Sequence, residues 1–94
     1  MNKEKLRYAI LKEIEKGNRS FSHADFGVED AVFHDQIRYL DREGLITGVF
    51  YADDIPYSLI GVEITSAGED YLKQHNAWAK AYRGLKEIRD WLKF

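Results

Sequence analysis

His34, Arg38 and Arg42 recur every fourth residue. On a helix that spacing sets them along one stripe. Guanidinium groups so placed can grip the phosphates of duplex DNA, with the helix entering the major groove. The same predicted helix, residues 29–43, carries Glu29, Asp30, Asp35, Asp41 and Glu43, so five acids stand against two bases. Two of the acids open the helix, where a DNA reader needs free N–H donors. Phosphate affinity is drawn from counterion release to cations, and this surface offers few. DNA is therefore the second choice of partner, through His34, Arg38 and Arg42, and the first reading of the stripe is a solvated face.

The remaining polar groups argue against catalysis. His23, His34 and His75 show no i,i+4 pairing with one another. His23 and Asp25 lie two apart in a turn, a spacing common by chance. Asp53-Asp54 is a carboxylate pair, but an exposed turn lacks the burial and neighbours that shift a pKa. Nucleophile-elbow, phosphate-cradling glycine and metal-helix motifs are missing from the sequence. With no Cys there is no disulfide framework, thiolate nucleophile or zinc finger. The expectation is a non-enzymatic protein with no catalytic residue, no metal and no cofactor.

The C-terminal segment is more suggestive. Residues 77–92 read as one amphipathic helix, with Trp78, Ala81, Tyr82, Leu85, Ile88 and Leu92 on a broad face. Lys86, Arg89 and Lys93 flank that face, and Trp91 and Phe94 point away from it. The main face suits the protein's own core. The surplus aromatic surface suits a second copy or an unknown protein partner, because aromatics and Arg are favoured at interface centres. Trp78, Tyr82, Leu85, Arg89, Trp91 and Phe94 are the interface candidates. A basic amphipathic helix of this kind also fits a membrane surface.

The elements that must position these groups follow from periodicity. Leu6, Ile10 and Ile14, widened by Leu11, mark a helix over residues 3–16 that Gly17 ends. Ser20-Phe21-Ser22 suits a brief strand, and Ala24-Asp25-Phe26 a helical turn or two closed by Gly27. Phe33, Ile37 and Leu40 line the helix at 29–43, which Gly44 stops. The period then changes to two: residues 45–51 are rich in β-formers, residues 52–57 have turn chemistry, and Ile60, Val62 and Ile64 alternate. That reads as an antiparallel hairpin with a longish loop. Thr65 or Ser66 caps a helix over about 67–75, and the C-terminal helix follows. Helix, short strand, two further helices and a hairpin give an α+β winged-helix order: a helix-turn-helix, a small three-stranded antiparallel sheet closed by the strand near Phe21, and C-terminal helices.

Two blocks carry a family resemblance. Asp41-Arg42-Glu43-Gly44-Leu45-Ile46-Thr47-Gly48-Val49, followed by Val62-Glu63-Ile64-Thr65-Ser66-Ala67-Gly68-Glu69-Asp70-Tyr71-Leu72, resembles the YjcQ family, small winged-helix proteins of bacteria and bacteriophages. Ile10-Leu11-Lys12-Glu13-Ile14 and the overall length fit as well. The resemblance implies four helices, three strands, no established biochemical activity, and a suggested role in phage particles or prophage biology.

Ninety-four residues, 45% hydrophobic and 32% charged, suit a single domain over 1–94. Charge is uneven. Residues 1–20 hold six bases and three acids, residues 21–70 two bases and eleven acids, and residues 71–94 six bases and two acids. Basic ends bracket an acidic middle, within a net charge of −2. The charged N-terminus is unlike a signal peptide, and no apolar run approaches a membrane span, so the expected location is the cytoplasm. The preferred function is a protein-interaction or phage-accessory module. A DNA-binding transcriptional regulator is the alternative.

Overall fold

The computed structural model describes residues 2–93. Helix α1 (Lys3–Glu15) starts at Asn2, whose side chain accepts from the Lys5 amide at 3.1 Å and so satisfies a donor that a helix start leaves unpaired. Leu6, Ile10, Leu11 and Ile14 face inward as their period requires, but Tyr8, Ala9 and Glu13 are buried too. A helix covered on more than one side is an internal post rather than a surface element. Helices α3 (Asp30–Arg42), α4 (Ser66–Gln74) and α6 (Ile88–Lys93) and strand β4 (Glu63–Ile64) all pack on it.

Helix α2 (His23–Phe26) is a single turn, begun where Ser22 N donates to the Asp25 carboxylate at 2.8 Å. Phe26 meets Phe21 edge-on at 5.5 Å, and Phe21 meets Phe33 of α3 at 6.1 Å. This aromatic trio anchors the α2–α3 corner in the core.

The strands differ from expectation. β1 (Ile46–Thr47) pairs antiparallel with β4, Ile46 opposite Ile64, while β2 (Phe50–Ala52) pairs with β3 (Ile55–Ser58), Ala52 opposite Ile55. Each ladder is two-stranded, and the expected strand at 20–22 is absent, so the sheet is not three-stranded. In its place Arg19 reaches across: its Nε donates to the Val62 carbonyl at 3.0 Å, and its Nη1 donates to the Ile14 and Asn18 carbonyls at 2.7 and 3.0 Å. A guanidinium fills an acceptor that a neighbouring strand's N–H would otherwise fill.

The loop of the β2–β3 hairpin is also shorter than expected. Asp53 and Asp54 have φ of +52° and +63°, the pattern of a two-residue type I′ turn. Ile55, Pro56 and Tyr57, expected in the loop, belong to β3.

Thr65 caps α4, accepting from the Gly68 amide at 3.0 Å while its hydroxyl donates to the Gly44 carbonyl at 2.6 Å. A Cβ on Gly68 would fall 2.2 Å from the Leu45 carbonyl oxygen, so α4 lies backbone-to-backbone on that residue. This contact joins the two sequence blocks: Gly44-Leu45 in one touches Thr65 and Gly68 in the other.

The C-terminal segment is not one helix. After α5 (Asn76–Ala81) the chain is extended at Tyr82, and Gly84 takes φ +94° and ψ −173°, a conformation that residues with a Cβ rarely adopt. A 3-10 turn (Leu85–Glu87) then leads into α6. The expected helix over 77–92 is thus folded back on itself, and this bent segment covers the far side of α1. The buried apolar residues form one contiguous cluster. Among the described residues, no helix is long and apolar enough to cross a membrane.

Candidate interaction surface

The α3 stripe is occupied within the molecule. His34 Nε2 lies 3.2 Å from the Asp30 carboxylate. Arg38 pairs with Asp35 at 3.1 Å through Nη1 and donates through Nη2 to the Asp54 carbonyl at 3.0 Å. Arg42 lies loosely against Glu43 at 3.9 Å and stays exposed. A second clasp joins the same elements, since the Tyr51 hydroxyl donates to Asp41 Oδ2 at 2.6 Å. Partial burial, then this hydrogen bond and the charge of Asp41, push the Tyr51 phenol up to about 12. The hairpin is therefore folded onto α3, with Pro56 buried beneath it, and the face a DNA reader would present is partly covered.

The opposite side of the hairpin is apolar and open. Phe50 is 60% exposed, Ile55 44% and Tyr57 75%, and Ile60 just beyond β3 is 82% exposed. The Phe50 and Tyr57 rings meet at 6.1 Å. Side chains alternate across a strand, so Pro56 turned inward leaves Ile55 and Tyr57 outward. Large apolar side chains are thus grouped on one exposed ribbon, the kind of surface at which proteins commonly meet partners. Beside them a cavity of about 280 Å³ opens between the hairpin and the α2–α3 corner, with Phe21, Phe33, Ile37 and Pro56 among its lining residues.

The C-terminal candidates lie elsewhere. Trp91, expected to point away from the core, is only 8% exposed, and its Nε1 donates to the Lys5 carbonyl at 3.0 Å. Its ring meets Trp78 at 5.8 Å and Tyr82 at 5.5 Å, and Tyr8 of α1 lies against all three. Trp78, Tyr82 and Leu85 are half-buried against the core. Arg89 is exposed beside Gly27, and Phe94 lies outside the described residues. The reason for the difference is the bend at Gly84, which turns a supposed outer face inward. The aromatics of this segment are spent on α1.

Glu13 locks the segment down. Its buried carboxylate accepts from the Tyr82 hydroxyl at 2.7 Å, Asn18 Nδ2 at 3.0 Å and Lys16 Nζ at 3.3 Å. Burial alone pushes its carboxyl up. The three donors more than offset that and hold it below the ordinary value. Burial and then Glu13 raise the Tyr82 phenol.

His23 and Asp25 serve the α2 turn. His23 Nδ1 donates to the Val28 carbonyl at 3.1 Å, since a carbonyl can only accept, and Asp25 holds the Ser22 amide. His75 stacks on Trp78 at 4.7 Å. The open hairpin face was missed in the sequence, although a signal was there. Phe50-Tyr51 and Leu59-Ile60 are adjacent apolar pairs, and strict alternation can bury only one member of each.

Comparisons with known proteins fit this architecture. The family model described as YjcQ protein matches residues 4–91. The uncharacterized protein YjcQ of Bacillus subtilis (strain 168) is 53% identical over 94 residues, covering 99% of this chain and 100% of that protein. The solution NMR structure of YjcQ from Bacillus subtilis superposes with a TM-score of 0.69 at 49% identity, covering 79% of this chain and 96% of that one. The chain belongs to the YjcQ family.

Proposed function

We propose that this protein is a non-enzymatic protein-interaction module on a winged-helix-like frame, and that it docks through the outer face of the β2–β3 hairpin. The observation that carries the reading is the exposed group Phe50, Ile55, Tyr57 and Ile60 on a ribbon whose other side is clasped to α3. The order α1, α2, α3, hairpin supports the winged frame, with the hairpin as wing. In a phage-accessory setting such a wing would serve assembly with another protein rather than an operator. The alternative, a DNA-binding regulator, meets the five acids over residues 29–43 and the engagement of Arg38 by Asp35 and the hairpin turn. Both features oppose capture of a polyanion.

A photo-crosslinking phenylalanine analogue at position 57, with the same analogue at Lys80 as control, tests the reading in cells. The expected result is a discrete protein adduct at 57, absent at 80 and lost when Phe50→Asp is added. Salt-dependent retardation of duplex DNA, abolished by Arg38→Glu with Arg42→Glu and unaccompanied by an adduct, would replace this reading with the regulator.

A further inference from the structure

The hairpin is as one-sided in charge as it is in polarity. Residues 45–64 include Asp53, Asp54 and Glu63 and not one Lys, Arg or His. Asp53 and Asp54 form the exposed tip, and among the described residues neither carboxylate has a cation within ion-pair distance. Arg38, which reaches the turn from α3, binds a backbone carbonyl there and is neutralised by Asp35. On the α3 side Asp41, Arg42 and Glu43 together add one net negative charge, with Arg42 lying 3.9 Å from Glu43. The adjoining cavity is lined by Arg19 and Asp30, of opposite sign, and by His23 and His34. The Arg19 guanidinium is taken up by three carbonyls, His23 by the Val28 carbonyl and His34 by Asp30.

On the protein-binding reading above, we infer that the partner of this face is a cationic, apolar protein segment. Its large apolar side chain seats between Tyr57 and Ile60 at the mouth of the cavity, and its Lys or Arg groups meet Asp53 and Asp54. Complementary charge of this kind steers encounter and fixes register. A second copy of the chain is the poorer occupant. Twofold pairing of two hairpins would offer Asp53 and Asp54 no cation, because the facing hairpin carries no Lys, Arg or His either.

The test is an NMR titration of the full chain with a short peptide alternating lysine with phenylalanine and valine, beside its glutamate counterpart. The expected result is that only the lysine peptide binds, shifting amides of residues 50–60 and of the α2–α3 corner. Binding weakens about tenfold as ionic strength rises to about 1 M, where the Debye length falls to roughly 3 Å. Asp53→Asn with Asp54→Asn keeps the left-handed turn, which Asn tolerates, and abolishes the preference for lysine. Equal binding of both peptides, or shifts confined to α1 and α6, overturns the inference. An adduct at position 57 whose joined segment is acidic overturns it while leaving the protein-binding reading intact. No adduct and no peptide shift defeats both.

Discussion

Glu13 is 4% exposed and still carries a charge, because Tyr82, Asn18 and Lys16 all donate to it. Replacing it by Ala leaves the Tyr82 hydroxyl and the Asn18 amide without their acceptor. Urea denaturation should report a loss of about 2–3 kcal/mol. The pH dependence follows from the sign of the shift. With the folded carboxyl held below its ordinary 4.5, the contribution is complete above that value and disappears as pH falls through the folded one. The Tyr82 phenol is raised above 10, so stability also falls as pH climbs past 10. Melting temperature followed against pH should drop at both ends, and Glu13→Gln should flatten the acid limb. Tyr8 is the opposite case, since its buried hydroxyl has no partner among the described residues. Tyr8→Phe should leave stability unchanged or raise it by up to about 1 kcal/mol in the same denaturation series.

At the scale of elements, Gly68 and Trp91 decide how the pieces meet. Gly68→Ala drives a methyl into the Leu45 carbonyl and Ile64 Cγ1, so α4 must lift off. Overpacking against backbone should cost about 1–3 kcal/mol by thermal unfolding. Trp91→Ala empties the aromatic cluster around Tyr8 and should cost about 3–5 kcal/mol, with no change in solution mass at equal concentration. A lost dimer with unchanged melting would instead restore the C-terminal interface. These contacts also mark what the sequence made legible. The ends of α1 and α3 and the start of α4 were readable because Gly17, Gly44 and Thr65 act on their own neighbours. The burial of Tyr8, Ala9 and Glu13 was not, because what covers them is a segment some seventy residues away in sequence, as the Glu13–Tyr82 pair illustrates. The apolar period of residues 77–92 runs on through Gly84, so the bend is silent in the pattern and lives in the backbone angles of Tyr82 and Gly84. The hairpin's open face was half legible. Its apolar excess stood in the sequence, but which side α3 would take depended on Tyr51 finding Asp41 and Arg38 finding the turn.

For the whole molecule, the acidic middle becomes a surface rather than a statistic. α3 and the hairpin are joined by Arg38 and Tyr51 into one largely anionic side. Duplex DNA should therefore show no retardation at physiological ionic strength, with or without Arg42→Glu, when tested by gel shift. On the other side of the molecule the Asn2 amide donates to the Leu92 carbonyl at 3.4 Å, and Trp91 binds the Lys5 carbonyl. Residues 2 and 92 are thus seams of the same joint. A circular permutant rejoining that joint with a few glycines and opening the backbone between Asp53 and Asp54 would sever only the type I′ turn. The molecule could then be grafted as an insertion into a host loop, its α1 post intact and the host closing the cut end of the β2–β3 ladder.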